Sequence, residues 1–412
     1  MECPHAYLRP LSAHYLADPY AVFASMREPM PVFFDAELDS FVVTRHGDIE
    51  AIFRDSDTFS AANAQDPVFP LHDDTRALLA DVGFRKIRTM SNLDGPEHAR
   101  IRHQNQIGFS PRRLRLLEPI IRSSTQRLLD STQVHLDTSG CSDFVAQLAF
   151  PLSASIIFAL LGFPEEDTEL LKSWCGDRMA FSWGRPTASE QTTIAHDMIA
   201  YWTYCEAHVQ RRVESPADDF TTDLLRIHDE DPAKISRAEI AHIIYGLSFA
   251  GHETTTNLLT NTLRAVMESG AWPTLCADPS RIANAVDEAL RFDTSVLTWR
   301  RITTMTTTVG GVDLPANAKL VLLLGSANRD PTVFPDPDHF DLDRTNANRH
   351  LSFGFGKHYC LGATLAKIEV AVVLEELTKR LPQLRLDANQ TYEFHPNISF
   401  RGPRQLLMYN GF

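Results

Sequence analysis

The stretch Phe353-Gly354-Phe355-Gly356-Lys357-His358-Tyr359-Cys360-Leu361-Gly362 places one cysteine where a glycine-rich loop gives way to a helix. Residues 363–374 are mostly apolar and contain neither proline nor glycine, so they predict a buried helix that begins near Cys360. The free N–H groups and positive potential of a helix N-terminus lower the pKa of a nearby thiol. The glycines leave room for a flat, bulky partner, and Phe353 adds an apolar wall. The stretch therefore suggests a thiolate ligand for haem.

Taken alone, Cys360 would fit a small buried hydrophobic residue equally well, and the glycines could simply make a turn. The complete pattern, Phe-Gly-x-Gly-x-His-x-Cys-x-Gly, resembles the haem-ligand signature of the cytochrome P450 family. His358 stands where that family usually has a basic residue. The resemblance implies that Cys360 binds the iron of haem b, and that Phe353, His358 and Gly362 contact the cofactor.

A long helix is predicted upstream, between the capping box that begins at Ser236 and the glycine that follows Ser269. Up to Glu268 it would run for roughly 50 Å at about 1.5 Å per residue. Its centre, residues 250–256, contains a glycine and three consecutive threonines, which favours a local kink with hydroxyls bonded back to the preceding turn.

The same centre reads Ala-Gly-x-Glu-Thr-Thr, which resembles the oxygen-activation motif of the cytochrome P450 family. The resemblance implies that Ala250 and Gly251 cover the distal face of the haem. Thr254 would hydrogen-bond to dioxygen, and Glu253 would connect it to a proton path from solvent. A solvated acid with incidental threonines is the alternative.

Further positions match the family in chain order. Glu288 and Arg291 resemble its buried structural pair, although an exposed helical ion pair would have the same spacing. His98 and Arg102 lie four residues apart and could reach one carboxylate, or could form a basic surface face. By resemblance they contact haem propionates together with His358 and Arg301, with Arg300 as a possible substitute for Arg301.

The composition predicts one cytoplasmic domain over residues 1–412, with no fused reductase. No linker, repeat, signal peptide or apolar run of membrane-spanning length is visible in the 412 residues. Five other cysteines lack paired spacing and are read as reduced thiols: Cys3, Cys141, Cys175, Cys205 and Cys276. The net charge of −14 argues against nucleic acid as a partner. We expect a soluble, bacterial-type monomer.

The predicted fold class is mainly α with a minor β part, the cytochrome P450 fold. Besides the long helix, helices are expected at 114–130, 145–161 and 194–213. Strand character appears at 32–44, 303–309, 319–324, 392–394 and 405–408.

The chain has no recognisable flavin, nicotinamide or iron–sulfur module, so electrons from NAD(P)H are expected to arrive through a ferredoxin reductase and a ferredoxin. Basic residues near the cysteine loop could steer an acidic ferredoxin, or could be ordinary surface charges. They are Arg112, Arg113, Arg349, His350 and Lys357.

The resemblance implies a monooxygenase that inserts one atom of dioxygen into a small hydrophobic substrate, by hydroxylation or oxidative dealkylation. The pocket candidates are mostly apolar and suggest an aromatic substrate: Met179, Phe181, Leu247, Ala250, Val296, Leu297, Ile398 and Phe400, with Phe69, Phe84, Trp183 and Trp299 beside them. A peroxide-driven peroxygenase and a non-catalytic haem-thiolate sensor are the alternatives. A faint likeness to the subgroup of thiocarbamate-oxidising enzymes and their reductase-fused relatives is also present.

Overall fold

The structure is a computed structural model that describes residues 8–82, 89–175 and 178–411. Its α-helices, in chain order, are α1 Ala13–Ala17, α2 Pro19–Arg27, α3 His46–Arg54, α4 Asp73–Asp81, α5 Gly95–Asn105, α6 Pro111–Ser139, α7 Phe150–Leu161, α8 Thr168–Cys175, α9 Arg178–Trp183, α10 Ala188–Glu214, α11 Phe220–Glu230, α12 Arg237–Glu268, α13 Trp272–Ala277, α14 Ile282–Phe292, α15 Leu324–Ala327 and α16 Ala363–Arg380. A π-helical turn, Val145–Ala149, precedes α7.

The strands are β1 Val32–Asp35, β2 Ser40–Val43, β3 Phe59–Ser60, β4 Cys141–Asp143, β5 Thr298–Thr303, β6 Thr307–Val309, β7 Val312–Leu314, β8 Lys319–Leu323, β9 Leu384–Leu386 and β10 Leu407–Asn410. They form a five-stranded sheet in the order β1-β2-β8-β5-β3, a three-stranded sheet β4-β10-β9 and the hairpin β6-β7. In the large sheet β2 and β8 run parallel, and the other neighbours are antiparallel. The predicted class, mainly α with a small β part, is confirmed.

The long helix α12 crosses the centre of the molecule and packs against α7, α10, α14 and α16. Its predicted capping box is confirmed: the Ser236 hydroxyl accepts from the Glu239 N–H, and the Glu239 carboxylate accepts from the Ser236 N–H. Most buried apolar side chains around it belong to one core cluster that also includes α6, α7, α14 and α16. The cap and the apolar side chains of α12 thus fix this helix within the main core.

The helix α12 is assigned without a break from Arg237 to Glu268, across the segment predicted to kink. Two other expectations about local structure need correction. Residues 392–394 form no strand but a single bridge between Phe394 and Pro403. The expected strand 303–309 is divided, since β5 ends at Thr303 and β6 begins at Thr307. Within the described ranges, no helix is long and apolar enough to cross a bilayer.

Candidate functional site

A cavity of about 540 Å³ lies between α12, α9, β5 and the loop that carries Cys360. Its volume is within the range of small-molecule and cofactor sites in proteins. One face of α12 contributes Leu247, Ala250, Gly251 and Thr254 to the lining, and the loop before α16 contributes Cys360. The motifs at 250–254 and 353–362 are thus brought to the same space, although they lie far apart in the sequence.

The loop before Cys360 is shaped by two glycines with left-handed backbone, Gly354 at φ 68° and Gly356 at φ 70°. A Cβ on Gly356 would stand 2.7 Å from the carbonyl oxygen of Phe53, so a side chain is excluded there as well. The Cys360 N–H donates to the Phe353 carbonyl at 2.9 Å, which closes the loop. The glycines are therefore required by the backbone of the loop itself, a reason that differs from the predicted approach to a flat partner.

Cys360 is exposed at the cavity wall, although it lies deep in the protein. Burial raises the pKa of this thiol, an effect that the N–H groups of Gly362 and Ala363 and the charge of Arg102 only partly offset. The following helix begins at Ala363, three residues later than Cys360. The expected lowering of the pKa by the helix is thus outweighed, and a bound metal ion is needed to hold the thiolate.

Near the middle of α12 the cavity is lined by the small residues Ala250 and Gly251 and by the hydroxyl-bearing Thr254. Thr254 Oγ1 donates to the Ala250 carbonyl at 2.7 Å, the back-bonding predicted for this segment. Gly251 is needed for helix packing, since a Cβ there would stand 2.5 Å from Cγ1 of Ile157 on α7. Glu253 precedes Thr254 on the helix but is not among the residues that line the cavity.

Cationic and imidazole side chains gather at one end of the cavity. Arg102 donates to the Tyr359 carbonyl at 2.7 Å and lines the cavity together with His358 and Arg301. The rings of His98 and His358 lie 4.1 Å apart. Burial, with the nearby charges of His358 and Arg102, lowers the pKa of His98 to about 4. His98 is consequently neutral near pH 7, where its imidazole can still donate one hydrogen bond.

Arg301 and Arg300 point to opposite sides of β5, as expected for neighbours on a strand. Arg301 lines the cavity, and burial lowers its pKa to about 10. Arg300 turns away and donates to the carbonyls of Ala64 and Asp66. Of the two candidates for a propionate contact, Arg301 is therefore the one that faces the site.

The residues present fit a haem. The Nε2 atom of His98 is buried with no hydrogen-bond partner in the described chain, as expected where an acceptor is to be bound. Arg102 and Arg301 supply positive charge at the same end, and Cys360 offers a soft sulfur ligand to iron. A dianionic, planar iron cofactor would satisfy all of these groups together.

Behind the cysteine loop lies the predicted pair Glu288 and Arg291, with both side chains fully buried. Arg291 Nε and one terminal nitrogen each donate to the Glu288 carboxylate at 2.7 Å. The carboxylate also accepts from Arg344 Nε at 3.1 Å and from the Asp341 N–H at 2.9 Å. The pair is therefore the centre of a buried network rather than an exposed helical ion pair.

This network is connected to the cysteine loop through Asn328. Arg291 donates to the Asn328 carbonyl at 3.1 Å, and the Asn328 side chain accepts from the Leu351 N–H at 2.7 Å and donates to Ser352 Oγ at 2.8 Å. Leu351 and Ser352 immediately precede the loop. The position of Cys360 thus depends on a network whose charged members, Glu288, Arg291 and Arg344, do not line the cavity.

Most of the predicted pocket residues line the cavity: Met179, Phe181, Leu247, Ala250, Val296 and Phe400, with Trp183 and Trp299. Leu297 and Ile398 do not, and that prediction is corrected. Both are buried with Phe23 in a core cluster, and Leu297 alternates with the cavity-lining Val296 along one extended segment. Phe69 belongs to that cluster too, and Phe84 lies outside the described residues.

Most of the basic residues that were expected to attract an acidic ferredoxin are already paired or buried. Arg113 pairs with Asp218 and Asp223, and Lys357 pairs with Asp57 at 3.3 Å. His350 is buried, and burial lowers its pKa, so it carries no surface charge. Arg112 and Arg349 remain exposed.

Many of the residues that line the cavity were not anticipated, among them Arg178 and Glu369. Arg178 lies at the start of α9, and Glu369 lies on α16, where burial raises the pKa of its carboxyl well above the usual range. The only signal available for Glu369 was that it and Lys367 are the two charged residues in the mostly apolar stretch 363–374. For Arg178 the sequence offers no periodic pattern that separates it from surface arginines.

Comparison with known proteins identifies the same family throughout. The family model for cytochrome P450 matches residues 282–387. The erythromycin C-12 hydroxylase of Saccharopolyspora erythraea is 34% identical over 94% of this chain and 93% of its own. The solved structure of cytochrome P450 CREJ in complex with (4-ethylphenyl) dihydrogen phosphate is 36% identical, with a TM-score of 0.93 over 96% of this chain and 98% of that one.

A fused relative is similar as well. An intact type IV self-sufficient cytochrome P450 monooxygenase is 34% identical with a TM-score of 0.92. The match covers 99% of this chain but 54% of that one. The similarity thus extends over about half of the fused protein.

Proposed function

The chain belongs to the cytochrome P450 family and is a P450 monooxygenase, and from that premise we propose that it inserts oxygen into a small, largely hydrophobic organic molecule. The proposed reaction is R–H + O₂ + 2e⁻ + 2H⁺ → R–OH + H₂O. Where the attacked carbon is next to an ether oxygen or an amine nitrogen, the hydroxylated product breaks down and the net result is dealkylation.

The observation that carries the proposal is that Cys360, whose side chain is exposed, lines the same cavity as Ala250, Gly251 and Thr254. Haem b, bound there through Cys360, supplies the chemistry that activates dioxygen. Arg102, Arg301 and His358 hold and orient its carboxylates, and His98 donates the hydrogen bond that its Nε2 atom now lacks.

Thr254 and Glu253 on α12 are proposed to control the delivery of protons to the cavity. Because the Thr254 proton is held on the Ala250 carbonyl, Oγ1 presents an acceptor to the cavity until that bond is released. Releasing it lets Thr254 donate into the cavity, and Glu253, one residue earlier, is proposed to connect this hydroxyl to solvent. The small side chains beside it leave space for dioxygen without admitting bulk water.

Two electrons are proposed to come from NAD(P)H through a ferredoxin reductase and a ferredoxin. The support for separate donors is that the sequence contains no recognisable flavin or iron–sulfur motif. The alternative electron donor is a reductase domain, either on a separate polypeptide or fused as in the self-sufficient relative. A reconstitution assay with purified donors distinguishes this alternative from the ferredoxin system.

The substrate is proposed to be aromatic or otherwise flat and apolar, because Phe181, Trp183, Trp299 and Phe400 line the cavity. The similar structure of CREJ contains a bound (4-ethylphenyl) dihydrogen phosphate, which supports this size and shape.

The test is the optical spectrum of the reduced protein under carbon monoxide, recorded beside Cys360→Ser. We expect a Soret band at the red-shifted position for which the family is named, present only with Cys360. An unshifted band in both proteins would contradict thiolate ligation. Correctly folded protein without haem would contradict the whole proposal.

Turnover separates the remaining alternatives. Product formation that depends on dioxygen and reduced donors supports the monooxygenase. Activity with hydrogen peroxide alone that survives Thr254→Ala supports a peroxygenase, and ligand binding without product under any donor supports a sensor.

A further inference from the structure

Arg178 is a cation in the wall of the substrate cavity that the proposed chemistry does not use. Its guanidinium carbon lies 3.8 Å from the centre of the Phe249 ring and 4.4 Å from that of Tyr245, and it donates to the Tyr245 hydroxyl. Both rings belong to α12, and both residues line the cavity. The side chain is therefore held on the aromatic surface of the same helix that carries Thr254.

No carboxylate in the described ranges forms an ion pair with Arg178. Three ionisable neighbours of Arg178 are neutral: burial raises the pKa of Cys175 and of Tyr245 to about 12 each, and that of Cys205 well above its usual value. Of the described acids that line the cavity, Glu369 is buried, which raises the pKa of its carboxyl well above the usual range. Asp66 lies close to Arg300, where burial lowers the pKa of the guanidinium and the charge of Asp66 partly offsets that effect. Among the described residues, the Arg178 guanidinium thus has no ion-pair partner.

The other cations of the cavity already have a role. Arg102 and Arg301 lie with His358 at the end assigned to the cofactor carboxylates. Arg178 lies on α9, beside Tyr245 and Phe249, which come earlier on α12 than the haem-facing residues. A guanidinium that faces a cavity can pair with an anionic group of a bound ligand. The cavity thus has one cation more than the cofactor needs.

The distance along α12 limits the ligand. From Tyr245 to Thr254 the helix rises roughly 14 Å, and from Phe249 to Thr254 roughly 8 Å, at about 1.5 Å per residue. A benzene ring with a short para substituent spans a distance of this order. The aromatic side chains between the two ends suit such a ring.

We propose that the substrate is an amphipathic anion, an aromatic body with one phosphate or carboxylate, whose charged group binds Arg178 while the far end of the body lies beneath Thr254. This inference rests on the proposed monooxygenase function and names its substrate class. Phosphate and carboxylate share the chemistry that a guanidinium recognises, and the experiment below distinguishes them.

The experiment uses haem-loaded protein and three probes of one shape: 4-ethylphenyl phosphate, 4-ethylbenzoate and the uncharged 4-ethylphenol. Binding is measured by the spin-state shift of the Soret band and, independently, by calorimetry. In the wild type we expect at least one anionic probe to bind about tenfold or more tightly than 4-ethylphenol, and the preferred anion identifies the head group.

Three variants test the residue. Arg178→Gln should remove the preference for the anion and leave 4-ethylphenol binding nearly unchanged, and Arg178→Lys should restore part of it. The control is Arg185→Gln. Arg185 also follows α8 in the chain, but it pairs with Glu37 at 2.9 Å and does not line the cavity. It should leave all three dissociation constants unchanged.

The wild-type comparison alone can overturn the inference, even where a variant fails to fold: equal or tighter binding of 4-ethylphenol contradicts it. An anion preference that persists in Arg178→Gln contradicts the assignment to Arg178. Failure of the proposed function is distinct, since it appears as the absence of the thiolate band, and calorimetry still reports whether anions bind.

Discussion

Replacing Glu288 with glutamine is expected to destabilise the protein strongly while preserving the volume of the side chain. The carboxylate is fully buried and accepts from Arg291, Arg344 and the Asp341 N–H, so it compensates two buried guanidinium groups at once. A glutamine amide is neutral, and its NH₂ group would point a donor at one of these cations. Breaking a buried pair in this way costs about 3 to 5 kcal/mol.

The magnitude can be expressed as a melting temperature. At roughly 2.1 cal/mol/K per residue, the unfolding entropy of 412 residues is about 0.9 kcal/mol/K, so the expected decrease is about 3 to 6 °C. The assay is thermal unfolding followed by circular dichroism on haem-loaded protein. The carbon monoxide spectrum of the same samples should show a smaller thiolate band, because Asn328 connects this network to the cysteine loop.

Glu169→Gln is the matched control. Glu169 pairs with Lys172 at 2.7 Å with the same three-residue spacing, but its side chain is 83% exposed. Exposed pairs contribute about 0 to 1 kcal/mol, so this variant should melt within about 1 °C of the wild type. Equal shifts in the two variants would refute the reasoning that burial, rather than ion pairing as such, makes Glu288 important.

Three further outcomes are expected. Gly251→Ala should lower the free energy of unfolding by about 1 to 3 kcal/mol, because the new Cβ meets Ile157, whereas alanine at an open helix site would be stabilising; a gain in melting temperature would contradict this. Burial lowers the pKa of His208 to about 4 from 6.5, and its Nε2 lies 3.2 Å from the Leu161 carbonyl oxygen. The neutral form of His208 therefore stabilises the fold above pH 6.5, and this stability is lost as pH falls toward 4. In His208→Gln the free energy of unfolding, measured with urea, should depend less on pH between those values; an unchanged pH dependence would contradict this. Thr254→Ala should keep the fold and the thiolate band but yield less product, and more hydrogen peroxide, per NADPH consumed; unchanged coupling would remove Thr254 from proton control.

Local signals predicted the helices best where the chain contains explicit caps. The start of α12 was anticipated from the capping box of Ser236 and Glu239, which the structure contains. The same signal exists at Thr187 and Glu190, where it begins α10 six residues before the predicted start at 194. The late prediction arose because apolar periodicity weakens in the first turns of α10, whereas the cap itself was readable.

Strands that depend on distant partners could not be predicted in the same way. The short strands β4 and β9 both pair with β10, and each is only three residues long. Segments of this length have no usable alternation of polar and apolar residues. They become strands because β10 offers them hydrogen-bonding partners, from far along the chain for β4 and from a nearby segment for β9.

The cavity wall shows the same limit at the level of single side chains. Val296 and Phe400 form an antiparallel bridge and line the cavity, whereas Leu297 and Ile398, which belong to the same core cluster as Phe400, do not line it. The Leu297 N–H donates to the Ser399 carbonyl at 2.6 Å, which fixes the register between the two segments. All four residues are apolar, so composition could not distinguish the ones that face the cavity. Because a shift of one residue would exchange Val296 and Leu297 between the two faces of their segment, this part of the pocket follows from the register, and the register is set by contacts between residues about one hundred positions apart.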